Sequence, residues 1–119
     1  MLISESTYGG KIVMDLNSLL RPRSIAVIGA SNNPGFGRAS CANLIDSPIS
    51  ERIYFINPRP QVIMGKQTLE KVQDVPEPID LAVIATPKST VIPLLKDAAS
   101  MGCKAAVVYA SGYSELGRE

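Results

Sequence analysis

The stretch Ser24-Ile25-Ala26-Val27-Ile28-Gly29-Ala30-Ser31, running directly into Asn32-Asn33-Pro34-Gly35-Phe36-Gly37, decides how this chain is read. Ile25 to Ile28 is a continuous apolar run, the pattern of a parallel strand covered on both faces. It breaks into a glycine-rich turn, and a helix is expected from Arg38 to Ile45 or Asp46. A strand–turn–helix junction of this kind offers unpaired backbone N–H groups and the positive end of a helix dipole to a phosphate.

Working outward, the same alternation repeats. Arg52 to Ile56 reads as a second strand, ended by Asn57-Pro58, and Asp80 to Ala85 as a third, followed by Thr86-Pro87. Ser89 to Met101 reads as a helix, with Ser89 as N-cap and Gly102 at the C′ position. Ala105 to Tyr109 is a fourth core strand, ending in Ser111-Gly112. Residues 61–78 are mixed: Val62 to Met64 suits a short strand or turn, and Leu69 to Val75 a helical turn. Leu16 to Leu20 suits one helical turn, stopped by Arg21-Pro22. Residues 1–15 read as an extension or short edge element. The expected fold is α/β, a Rossmann-like parallel sheet with helices on both faces. Such a sheet ordinarily carries one more helix and strand after residue 112, so a fragment of a longer protein is expected, with residues 16–119 as its domain.

Composition excludes several classes of function. A chain of 119 residues with 45% apolar and 19% charged residues has the make-up of one ordinary globular domain. A net charge of +1 leaves no electrostatic footprint for nucleic acid or an anionic membrane. No apolar run approaches the roughly 18 residues of a membrane span, and no signal-peptide pattern opens the chain; a cytoplasmic location is expected. Cys41 and Cys103 form no disulfide scaffold or zinc motif and read as small buried hydrophobes. The chain contains no histidine. That removes a Ser-His-Asp relay, a His-ligated metal and a phosphohistidine from its own chemistry.

Ligands of parallel α/β sheets bind beyond the carboxyl ends of the strands. Four segments sit there: Gly29 to Gly37, Asn57 to Arg59, Thr86 to Lys88 and Ser111 to Tyr113. Each alone could be no more than the turn chemistry a strand end requires; together they read as one cleft rim. The first loop departs from the dinucleotide fingerprint Gly-x-Gly-x-x-Gly, because Ser31 stands at the second glycine. The Walker Gly-Lys-Ser/Thr ending is also absent. Ser31 and Asn32 can add side-chain hydrogen bonds to a phosphate, and Gly35 and Gly37 allow close approach to the helix start. An NAD site wants an acid at the end of the second strand; here Asn57-Pro58-Arg59 offers a guanidinium, suited to a phosphate on the adenosine ribose, as in NADP or coenzyme A. Lys88 could add positive charge near the same ligand or be a plain surface lysine.

Four motifs in order resemble one family: residues 19–31 (LLRPRSIAVIGAS), 53–59 (IYFINPR), 79–87 (IDLAVIATP) and 110–115 (ASGYSE). Together they are similar to the CoA-binding domain of NDP-forming acyl-CoA synthetases, the ADP-forming acetate–CoA ligases related to the succinyl-CoA synthetase α subunit. A similar domain also begins some protein acetyltransferases. The resemblance implies coenzyme A as cofactor, its phosphates held by Gly29, Ala30, Ser31, Asn32, Gly35 and Gly37. Asn57, Pro58 and Arg59 would contact the ribose phosphate. Thr86, Pro87 and Lys88 would flank the adenine or the pantetheine arm, and Ser111 and Gly112 would lie toward the thiol. It further implies partner domains or a subunit carrying the phosphohistidine and nucleotide site, and an acid–thiol ligase as parent. This chain alone, with no catalytic or metal-binding residue assigned, is then expected to be inactive. The readings that compete are an NADP- or nucleotide-sensing module and an interaction domain that binds nothing small.

Overall fold

A computed structural model describes residues 2–5, 10–14, 18 and 20–109. Strands β1 (Leu2–Glu5) and β2 (Gly10–Met14) precede β3 (Ile25–Ile28). Helix α1 (Phe36–Leu44) leads to β4 (Ile53–Ile56), then to two short strands, β5 (Val62–Ile63) and β6 (Lys66–Gln67). Strand β7 (Leu81–Ile84), helix α2 (Val91–Ser100) and β8 (Ala105–Tyr109) follow. Single 3-10 turns at Ser50–Arg52, Val72–Asp74 and Lys88–Thr90 join them.

The main sheet has the order β1-β2-β8-β7-β3-β4. Strands β8, β7, β3 and β4 are parallel, with Ile25 level with Ile53 and Leu81, and Leu81 level with Ala105. From β3 the chain steps outward to β4, then returns across β3 to β7. The carboxyl ends of β3 and β7 therefore form the switch point at which such sheets bind ligands.

Alternation along the strands separates two cores. Ala26, Ile28, Ala82, Ile84, Ala106 and Val108 face α2 through Val91 and Ala98. Ile25, Val27, Ile53, Phe55, Leu81 and Val83 face the side that holds Cys41 of α1. Helices on both faces of a parallel sheet are thus observed, as expected. Cys41 is fully buried and Cys103 half-buried, and burial pushes both thiols up from their ordinary range.

Three local features settle or correct the expectation. The N-terminal segment is an antiparallel hairpin that adds to the outer edge of β8, with Gly10 opposite Tyr109 and Met14 opposite Ala105; of the two readings of residues 1–15, the edge element is the one seen. Ser89 is not the N-cap of α2. The 3-10 turn Lys88–Thr90 inserts ahead of the helix and moves the cap to Thr90, which makes no side-chain capping bond. At the other end Gly102 occupies C′ as read: its N–H donates to Ala99 O and that of Cys103 to Ala98 O, the paired bonds of a Schellman motif. Between β4 and β7, a β5–β6 hairpin appears where only a short strand or turn was expected.

Candidate functional site

The first βα loop is shaped by two glycines in contact. A Cβ on Gly37 would stand 2.1 Å from Gly29 O, and one on Gly29 would stand 2.2 Å from Ala85 O. No side chain fits at either position, so α1 starts directly against the end of β3, and β3 against the end of β7. Gly29 also takes φ +90°, a left-handed conformation. Its N–H and that of Ala30 both donate to Ile56 O, at 3.0 and 3.2 Å. Those two donors are spent on the sheet. The first turn of α1 offers further N–H groups for a phosphate. That turn has Gly35 as N-cap, no side-chain cap and no acidic residue, so its positive dipole end is uncompensated by the protein.

The expected site residues separate into distinct roles. Ala30 is fully buried, with its N–H bonded to Ile56 O and its carbonyl to Asn57 Nδ2, so it serves the shape of the loop. Ser31 Oγ accepts the Asn33 N–H at 2.9 Å, and Asn32 Nδ2 donates to Val62 O at 3.0 Å. Both side chains thus shape the loop. Asn57 Nδ2 donates to Ala30 O at 2.8 Å and its Oδ1 accepts the Arg59 N–H at 2.8 Å, which ties the end of β4 to the first loop.

Beyond these strand ends lies a cleft of about 590 Å3, within the ~300–1,000 Å3 range of small-molecule sites. Gly29, Asn57, Pro58, Thr86 and Pro87 line it, all of them expected from sequence. A smaller cavity of about 220 Å3 holds Gly37 on the far side of Ala85-Thr86-Pro87. Arg59 and Lys88 are exposed and line neither cavity. Ser111 and Gly112 lie outside the described residues.

Sequence reasoning missed two walls of the cleft. One is formed by Glu70, Lys71 and Val72, the other by Ser89, Thr90, Pro93, Leu94 and Asp97. The second wall was within reach, since Thr90, Leu94 and Asp97 recur at helical spacing on the helix that leaves the rim. Thr90 and Thr86 share a hydroxyl hydrogen bond of 2.8 Å across that corner. In the smaller cavity Phe36 stacks on Tyr109, ring centres 5.1 Å apart, a contact between residues 73 positions apart that no local pattern announces.

Comparison with known proteins decides the family. Residues 23–116 match the family described as CoA binding domain. The chain belongs to that family. This CoA-binding domain is 41% identical over 105 residues to a trans-feruloyl-CoA synthase of an unknown prokaryotic organism, covering 87% of the chain and 15% of that protein. It is 39% identical over 104 residues to an ADP-forming acetate–CoA ligase of Methanocaldococcus jannaschii, covering 87% of the chain and 14% of that protein. Among solved structures it resembles the dinucleotide-forming acetyl-coenzyme A synthetase 1 of Ca. Korarchaeum cryptofilum in complex with phosphate and ADP. The TM-score is 0.70 at 36% identity, over 88% of this chain and 23% of that one. The chain thus spans about a seventh of these curated relatives. The CoA-binding domain is Rossmann-like, as the resemblance implied. No helix among the described residues is long and apolar enough to cross a membrane.

Proposed function

We propose that this domain holds coenzyme A for an NDP-forming acyl-CoA synthetase of the cytoplasm. The parent reaction converts carboxylate, CoA and NTP into acyl-CoA, NDP and phosphate. The observation that carries the reading is the uncapped start of α1, which opens on the smaller cavity and shares the Ala85-Thr86-Pro87 wall with the larger cleft at the β3/β7 switch point. Three features suit a phosphate there: the helix start is uncapped, no carboxylate stands in its first turn, and the two glycines keep side chains out of the way.

In this reading Gly29, Ala30, Ser31, Asn32, Gly35 and Gly37 form the phosphate loop, Gly29 and Ala30 by shaping it and the start of α1 by donating backbone N–H groups. Asn57, Pro58 and Arg59 face the ribose end, and Thr86, Pro87 and Lys88 flank the middle of the coenzyme. Ser111 and Gly112 lie toward the thiol. The chain contributes position rather than bond-making, because bringing a thiol to a fixed place converts a bimolecular encounter into a local one. With no histidine in the sequence, the phosphohistidine step and the nucleotide site belong to partner domains or a partner subunit.

Calorimetric titration with CoA and with NADPH tests this. CoA is expected to bind with one site per chain. Binding of NADPH without CoA would overturn the reading in favour of a dinucleotide module, and a folded protein that binds neither would leave an interaction domain.

A further inference from the structure

The cleft carries a cation at a place the sequence does not advertise. Leu69 bridges to Ile56 in parallel, its N–H donating to Phe55 O at 2.8 Å and its carbonyl accepting the Asn57 N–H at 2.9 Å. This segment therefore runs alongside β4 in the same direction, like an extra strand one residue wide. One or two residues later it emerges at the same carboxyl rim, and the residue it delivers there is Lys71. Two contacts fix the backbone at that point: the Lys71 N–H donates to Asp74 Oδ2 at 3.3 Å, and the Asp74 N–H donates to Lys71 O at 3.0 Å. Val72, next in the chain, is almost fully buried in the core below.

Among the described residues that line the cleft, Lys71 is the sole cation, and Glu70 and Asp97 are the acidic members. Asp97 disfavours a phosphate on the α2 wall, which leaves the wall that carries Lys71 as the place where one can sit. Lys71 shares the cleft with Asn57 and Pro58, at the strand end that faces the ribose in switch-point folds. Arg59, the cation that the sequence offers for this task, points its backbone at Asn57 and lies outside the lining.

We infer that Lys71 is the specificity-determining residue for the phosphate on the adenosine ribose of CoA, with Arg59 a minor contributor. This rests on the CoA reading above. The ammonium acts as a point charge on a pinned backbone at the cleft wall, and its hydrogen bond to a phosphate is charge-assisted.

Titration calorimetry of the whole chain with CoA and with dephospho-CoA, on wild type, K71Q, K71R and R59Q, tests the assignment. Wild type should prefer CoA by about tenfold, the effect of one charge-assisted contact. K71Q should lose that preference while keeping its affinity for dephospho-CoA within about twofold. K71R should retain most of it, and R59Q should leave it nearly intact. Lys71 is exposed, so matching melting temperatures are expected across the set. A K71Q protein that still prefers CoA, an R59Q protein that has lost the preference, or a wild type indifferent to the phosphate would overturn the role of Lys71 while leaving CoA binding standing. A wild type that binds neither compound would overturn the CoA reading itself.

Discussion

Gly37 and Gly29 meet so closely that each dictates what the other can be. Replacing Gly37 with alanine drives a methyl to within 2.1 Å of a carbonyl oxygen that belongs to the end of β3. The helix must then move, and overpacking of this kind costs on the order of 1–3 kcal/mol. Urea denaturation of Gly37→Ala should show that loss, together with weakened CoA binding, because the start of α1 is displaced from the rim. An unchanged midpoint would show that α1 can shift freely. The sequence singles out Gly35 and Gly37 as residues that let a ligand come close to the helix start; what the structure shows at Gly37 is a different need, the packing of α1 against Gly29 O. The destination of the polar side chains was not legible in the sequence. Ser31 and Asn32 carry the right groups for phosphate, yet their bonds go to Asn33 N–H and Val62 O. Only the fold reveals that Val62 lies opposite Asn32. Likewise Lys71 looks like any surface lysine until the Leu69 bridge is seen.

Helices and strands that could be read were those with a long enough pattern. Ile25–Ile28, Leu81–Ile84 and Ala105–Tyr109 are runs of apolar residues in a sheet covered on both sides, and such runs mark themselves. Two-residue strands have no period to detect, so the β5–β6 hairpin stayed hidden between Pro60 and Pro76. Its turn is unusual. Met64 and Gly65 both have positive φ, +50° and +84°, between the paired residues Ile63 and Lys66. That is the geometry of a type I′ turn, whose first position favours asparagine over methionine. Met64 is 42% exposed and makes little use of its side chain in the core. Met64→Asn should therefore stabilise the protein by about 0.5–1 kcal/mol, by relief of backbone strain. Thermal unfolding measures it, and a lowered melting temperature would show that Met64 packs more than its exposure implies.

Across the whole molecule, the two ends of the parallel sheet do different work. The carboxyl rim holds the cleft. The amino rim holds ion pairs: Arg52 Nε donates to Glu77 Oε1 at 2.9 Å, Tyr54 also donates its hydroxyl to Glu77, and Arg23 Nε donates to Asp80 Oδ2 at 3.1 Å. Hydrogen bonds from Arg52 and Tyr54 hold the Glu77 carboxyl below its ordinary range. Burial of Asp80 opposes its ionisation, but the backbone N–H and guanidinium of Arg23 outweigh that and hold its carboxyl low as well. Both groups have folded pKa values depressed below the unfolded ones, near 4. Their stabilisation is fully present above that pH and is lost as pH falls through the lower folded values. Chemical denaturation between pH 6 and about pH 2 should show stability falling in that acid window, with a flatter profile for the pair E77Q and D80N. A wild-type profile level throughout would remove these carboxylates from the account.

The bond from Asn57 N–H to Leu69 O has a bearing on engineering. It closes the chain between those residues into a side trip that leaves the rim and returns to the same spot. The exposed tip at Met64-Gly65 is thus the natural place to graft a tag, a sensor or a longer hairpin, since added length there is absorbed outside the scaffold and the positions of Asn57 and Lys71 stay as they are.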